Sequence, residues 1–460
     1  MITSVYTHQA SAQPILRIYP TNAAEFLDMP TEILEIICRL VSDVTQLSLC
    51  LVCRRLNEIC TGVVYHTVSN CGTEVSTFAK LCRTLTRRPE AAIAVRDMQV
   101  YFFHSSAATA LGAFSRIFQH ALRVTTSLVN LRILTSTPLG RPLSFYLQGS
   151  HFPRLKHFGI LYSPSQEEDN TLYEFLFRHL TIRELSIQSG KLRDSPSKVQ
   201  TTFEPLVMSD LRKYSGSDAW LGVAIPHSRV EHVVLSSWYH ALGDPLQPEN
   251  IDRIVLLLSQ SKGVIQEFSL YFPRWDARIL SMVQNLNDLS SLLISVHPRD
   301  GSSFPPDFLD TLEKQTLPHM PRLQELILNS LSLSDEEEPV NRVEELEIIL
   351  RCQKLCPLLE YITFPSFQTW RLTRWQDSKT MIWTPLIHDS QQAGFAWAMM
   401  AIVAGQYSLD CVELCQELQV IVTLFQSTFP HWKETRDIDG LYTEFEVLFS
   451  EIRPNVLPKL

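Results

Sequence analysis

Cysteine and histidine are the residues here whose types and spacing could do chemistry. Cys50 and Cys53 stand in a C-x-x-C, with Cys60 nearby. Thiolates at that spacing can hold zinc or exchange disulfides. No second pair lies at zinc-finger spacing, so buried free thiols are the expectation. Cys411 and Cys415 are four apart and face one way on a helix, with no histidine close in sequence; core packing is expected there too. His232 and His240 do not share a helical face, and Val233 to Leu235 reads as a strand between them, so both are placed in loops or at the surface. Arg436 to Gly440, RDIDG, has its glycine at the wrong offset for a calcium loop and lacks the oxygen ligands. G-x-S-x-G, GxxxxGK[ST], GxGxxG and HExxH are absent. No catalytic residue, metal or cofactor is therefore expected, and the chain is not read as an enzyme.

The elements that would carry any function come from a chain of 460 residues, long enough for several domains or one repeat array. Apolar residues make up 45% and charged ones 19%, which excludes disorder over most of the length. Leucine occurs 63 times and glycine only 15, so large glycine-rich nucleotide sites are disfavoured. The net charge of −9 argues against binding nucleic acid through a broad basic face. The longest uncharged apolar stretch, Gly394 to Gly405, is too short for a membrane helix, which needs about 20 residues. The first 20 residues show no cationic start followed by an apolar stretch. Six of the ten cysteines crowd between Cys38 and Cys82, which is no disulfide framework. A soluble protein of a reducing compartment, cytoplasmic or nuclear, is expected.

Residues 1–22 carry no period and read as a flexible arm. From Phe26 to Val68 three short helices are expected. Pro30 suits a first helical turn, with Asp28 as cap and Glu32 complementing the dipole. Ile33, Leu34, Ile36, Ile37, Leu40 and Val41 follow, then a break at Ser42-Asp43. A second helix covers Val44 to Leu51 and a third begins near Cys53. About 40 residues in three helices cannot enclose a core alone. The first helix is apolar on more than one face, so one face must meet its sisters and another a partner or the rest of the chain.

These residues resemble the F-box. Met29, Pro30, Glu32, Ile33, Leu34 and Ile37 match its opening; Asp43, Leu47, Val52, Cys53, Arg54 and Leu56 follow in order; Val64-Tyr65 replaces the usual closing Leu-Trp. The resemblance implies a Skp-type adaptor as partner, bound through Met29, Pro30, Ile33, Leu34, Ile37, Leu51, Val52 and Leu56, and through it a cullin and a RING subunit.

Beyond the helices, segments of the form L-x-x-L-x-L recur: at Val95, Leu131, Leu155, Ile182, Leu211, Val230, Ile265, Leu289, Leu323 and Leu359. Their spacing runs from 19 to 36 residues. Helix-like stretches such as AATALGAFSRIFQHAL and ENIDRIVLLLSQ lie between them, so strands alternate with helices and parallel pairing is favoured. Either a leucine-rich-repeat-like solenoid or an ordinary α/β domain would read this way; F-box proteins often carry such repeats, and the resemblance favours the solenoid. The combination is similar to the expanded F-box families of mushroom-forming fungi.

The expected fold class is thus α/β. F-box helices at 23–69 precede an irregular leucine-rich-repeat-like solenoid, a curved parallel sheet plus helices, at 70–390. A helical C-terminal cap follows at 391–460. Trp370, Trp375 and Trp383 are read as the terminal core, with an exposed recognition patch as the alternative. The acidic run Asp335 to Glu338 reads as a solvated loop. Residues between the repeat leucines should face outward, giving Glu231, Gln266, Glu267, Gln324 and Glu325 as the substrate-contacting set. The resemblance then implies the receptor subunit of an SCF-type ubiquitin ligase holding an unknown protein substrate. The alternatives are an F-box scaffold outside any ligase and an enzyme with an unrecognised site.

Overall fold

The computed structural model describes residues 28–70, 75–102, 108–135, 142–162, 165–189, 203–236, 248–272, 274–296, 306–330, 342–374, 381–386 and Trp397. The expected C-terminal helices and the acidic run lie outside the described residues, apart from Trp397.

Three helices come first: α1 Thr31–Leu40, α2 Asp43–Leu49 and α3 Arg54–Val64. Pro30, not Asp28, occupies the cap position of α1, and no side chain caps that end. α2 begins on Ser42, whose Oγ accepts from the Thr45 N–H, and α3 on Cys53, whose Sγ accepts from the Leu56 N–H. Each cap satisfies one of the donors a helix start leaves unpaired. α1 and α3 pack together and bury Leu34, Cys38, Leu56 and Cys60.

The helices run directly into a sheet. The strands are β1 Thr67–Ser69, β2 Asp97–Phe102, β3 Asn130–Thr135, β4 His157–Tyr162, β5 Glu184–Ser189, β6 Lys213–Gly216, β7 His232–Ser236, β8 Glu267–Phe272, β9 Ser291–Val296, β10 Glu325–Ser330, β11 Tyr361–Thr363, β12 Thr369–Arg374 and β13 Met381–Pro385. They form one sheet in sequence order. Pairing is parallel from β1 to β11, and β11, β12 and β13 are antiparallel. Each of the ten expected segments contains a strand. Helices such as Ala108–Val124 and Pro248–Ser259 return the chain between strands, as a parallel crossover requires.

Register explains the leucine pattern. Met98, Leu131, Phe158, Leu185, Tyr214, Val233, Phe268, Leu292, Leu326 and Ile362 stand side by side across the sheet. All ten are buried, as are the aliphatic residues three positions earlier, Val95, Leu128, Leu155, Ile182, Leu211, Val230, Ile265, Leu289, Leu323 and Leu359. Each such side chain contributes roughly 1.5–3 kcal/mol on burial. The helices close over this face with Phe78, Phe114, Phe118, Phe175 and Leu176.

A backbone motif repeats with the ladder. The N–H groups of each strand's first residue and of the residue before it donate to one carbonyl, that of the residue just before the previous strand. Arg183 and Glu184 share Lys156 O at 2.7 and 3.0 Å, and Gln324 and Glu325 share Ser290 O at 2.8 and 3.0 Å. The arrangement occurs ten times, once for each strand from β2 to β11.

β6 departs from the pattern. Gly216 stands where an inward aliphatic is the rule, with φ of 153°. A Cβ there would lie 2.0 Å from Ile187 O, so only glycine fits. Tyr214 fills the neighbouring inward position and donates its hydroxyl to Ser217 O at 2.6 Å.

Candidate functional site: two protein-docking faces

The thiols are placed against reactivity. All seven described cysteines are free. Cys38 and Cys60 sit with their Sγ atoms 2.9 Å apart in the helical core. Burial pushes the Cys60 thiol up to about 12, helped by the Cys38 thiol beside it. Burial likewise raises Cys82 and Cys352 to about 12, Cys356 to about 11, and Cys50 to a lesser degree. A thiol held protonated is a poor nucleophile and a poor metal ligand. Among the described residues no group of three or more His, Cys, Asp or Glu is placed to hold a metal ion, and no helix is long and apolar enough to cross a membrane. Cys411, Cys415 and His240 lie outside the described residues.

His179 is the buried histidine among the described residues. Its Nδ1 donates to Phe175 O at 2.7 Å, and its Nε2 accepts from the Phe152 N–H at 2.9 Å. Burial lowers its pKa to about 4. Both ring nitrogens are used in pinning the helix Gln166–Arg178 to the turn before β4, which is structural work.

What the structure offers to partners is surface. Fifteen large apolar side chains are exposed among the described residues, and seven of them fall in α1, α2 and the turn after α2: Ile33, Ile36, Leu40, Val44, Leu47, Leu51 and Val52. Leu40 is 81% and Leu51 87% exposed. Such a concentration on so small a unit marks an interaction surface. Of the expected adaptor set, Pro30, Ile33, Leu51 and Val52 are exposed, and Met29 and Ile37 are half-buried. Leu34 and Leu56 are not on this surface; at 0% and 1% exposure they hold α1 against α3. Ile36, Leu40, Val44 and Leu47, which are not in that set, are exposed on this surface as well. Their signal was helical spacing: Ile33, Ile36 and Leu40 share one face of α1, while Leu34 and Cys38 share the other.

The second face is the side of the sheet away from the helices. Gln266, Glu267 and Gln324 are exposed there, and Glu231 and Glu325 half-exposed. Glu231 pairs with Arg212 Nη1 at 3.1 Å. Glu267 Oε2 lies 2.6 Å from His232 Nδ1. His232 is therefore the first residue of β7 and part of this face, not a loop residue. Glu325 Oε2 accepts from Ser291 Oγ at 2.7 Å. A parallel sheet is normally covered on both sides; here the strands alternate buried and accessible residues, as a sheet with one uncovered side does.

The tryptophan region is core. Trp370 and Trp383 are fully buried, their indole N–H groups donating to Glu345 Oε2 at 2.8 Å and Gln353 Oε1 at 2.9 Å. Trp397 packs edge-on against Trp370 at 5.2 Å. Arg371 stays outside, 5.3 Å above the Tyr361 ring. Trp375 lies outside the described residues.

No curated protein matches this chain. Residues 26–67, the helices with the exposed apolar side chains together with the first residue of β1, match the F-box domain, a module that binds Skp-type adaptors.

Proposed function

We propose that this chain is the substrate receptor of an SCF-type cullin–RING ubiquitin ligase. Its F-box would take a Skp-type adaptor, which bridges to the cullin and RING subunits. The sequential sheet would be a leucine-rich-repeat-like solenoid of the kind its sequence resembles, with Glu231, Gln266, Glu267, Gln324 and Glu325 contacting a protein substrate. The protein would do no chemistry. It would raise the substrate's effective concentration beside the charged conjugating enzyme.

The observation that carries this reading is the set of seven exposed apolar residues inside the segment that matches the F-box. The inward ladder and its tenfold-repeated backbone motif support the repeat reading. Repeat proteins of this shape present extended faces suited to other proteins.

The test is affinity purification with mass spectrometry. Deleting the whole matched segment would also remove Thr67, the first residue of β1, so the variant is Leu40→Asp with Leu51→Asp in the full chain. Adaptor and cullin are expected to vanish while other partners remain. Adaptor without cullin in the wild type would turn the reading to a scaffold outside any ligase. Unchanged adaptor in the variant would overturn the assignment of this surface.

A further inference from the structure

Aligning the strands by register uncovers a charge pattern on the accessible sheet face. The first and third residues of each strand lie on that face, and the residue before each strand lies at its entry edge. For β2 to β6 these include Arg96, Arg132, Lys156, Arg183, Arg212 and Lys213 against only Asp97 and Glu184. For β7 to β11 they include Glu231, Glu267, Glu325 and Glu360 and no lysine or arginine. The sign changes between neighbouring strands, at the Arg212–Glu231 pair.

Three of the cations have a second task. Arg96 donates to Ser127 O, Lys156 to Thr181 O and Arg212 to Arg229 O, each the carbonyl just before the next repeat's leading aliphatic residue. The side chains of Arg132, Arg183 and Lys213 are exposed and make no ion pair or hydrogen bond among the described residues, and neither does that of Glu360 in the acidic half.

A second observation is independent of charge. Ser236, Ser295 and Asn329 form a row at the far ends of β7, β9 and β10, on this same face. Ser236 Oγ, Ser295 Oγ and Asn329 Oδ1 are each buried with no hydrogen-bond partner, and Ser295 is only 1% exposed. Buried polar groups left unpaired are uncommon, and Tyr271 stands in register between Ser236 and Ser295 in this row. Between the acidic row and this row lie Val234, Ser269, Leu293 and Ile327. Each row is two residues, about 6.6 Å, from that apolar middle.

We propose that this face holds one extended polypeptide segment of a substrate, laid across the strands, with an acidic part over β2–β6 and a basic, apolar part over β7–β11. Side chains of the basic part reach Glu267 and Glu325, and its apolar side chains lie over Val234, Leu293 and Ile327. Ten strands at about 4.8 Å spacing span about 43 Å, the length of roughly 13 extended residues. This rests on the receptor reading above and adds the chemical class of the substrate segment to it.

The test uses fluorescein-labelled 13-residue peptides and the full chain bound to its adaptor, read by fluorescence anisotropy at physiological salt. One peptide carries six Glu/Asp followed by alternating Lys and Leu; a second reverses that order. A third has the same composition with the charges evenly mixed. One of the two blocked peptides is expected to bind at least tenfold tighter than the mixed one. Arg132→Glu with Lys213→Glu, and separately Glu267→Lys with Glu325→Lys, should each abolish that preference. Equal binding of blocked and mixed peptides, or a preference that survives both variants, overturns the proposal. So does a concentration-dependent dimer in sedimentation velocity that the same variants dissolve, since a second copy would then be the occupant. If cellular partners other than adaptor and cullin are lost in the Glu267/Glu325 variant while the peptides show no preference, the charge order falls and the receptor face stands.

Discussion

Three leucines, two exposed and one buried, give the sharpest test of how the F-box segment is built. Leu51 is 87% exposed and Leu40 81%, whereas Leu34 is fully buried between α1 and α3. Truncating Leu to Ala removes about three carbons, worth about 0.8 kcal/mol each where a partner buries them. Leu40→Ala with Leu51→Ala should therefore weaken adaptor binding by about 5 kcal/mol, roughly three-thousandfold in Kd. Its folding stability should move by no more than about 0.5 kcal/mol per exposed position. Leu34→Ala should behave in the opposite way. It leaves a cavity and costs about 2–5 kcal/mol of stability, and any loss of binding should track the unfolded fraction. The assays are calorimetric titration with purified Skp-type adaptor and urea unfolding of the same samples. A loss of less than tenfold for the double variant would refute the surface argument. Weakened binding by Leu34→Ala at unchanged stability would refute the assignment of Leu34 to the core, and would restore the sequence-based placement of Leu34 at the interface.

Three further outcomes are expected. His179 binds a proton near 6.5 when unfolded but only near 4 when folded, so between those values the unfolded state holds more protons and stability falls as pH falls; about 2 kcal/mol should be lost by pH 5, and the pH slope, read by urea unfolding, should flatten in His179→Gln. A slope unchanged in that variant would remove His179 as the cause. Gly216→Ala should lower stability by on the order of 3 kcal/mol, because its Cβ would meet Ile187 O at 2.0 Å and its φ is 153°; a melting temperature equal to wild type would show that β6 is not held there. Trp370→Phe removes one donor, that to Oε2, from buried Glu345 and should cost about 1–3 kcal/mol beyond the lost ring area, with Glu345→Gln in the same background recovering part of it, since losing a partner costs a neutral amide less than a carboxylate; no recovery would place the loss in packing alone.

The amino-acid sequence alone determined the local features. Each L-x-x-L-x-L segment marks its own strand, because side chains alternate at every second residue whatever the strand pairs with. The three helices were legible from Pro30, Ser42 and Cys53 and from apolar spacing, for the same local reason. Which side of α1 faces inward was not local. Leu34 and Ile33 are equally apolar, and only the packing of α3, with Leu56 and Cys60, decides that Leu34 is core and Ile33 surface. The antiparallel return of β12 and β13 depends on register with β11, again a long-range matter. The charge division of the open face belongs wholly to the tertiary structure. Lys213 and Glu267 are separated along the chain by a crossover, a full strand and a helix. Hydrogen bonding of successive strands brings such residues into one row, and only then does the sum of their charges have a sign and a place.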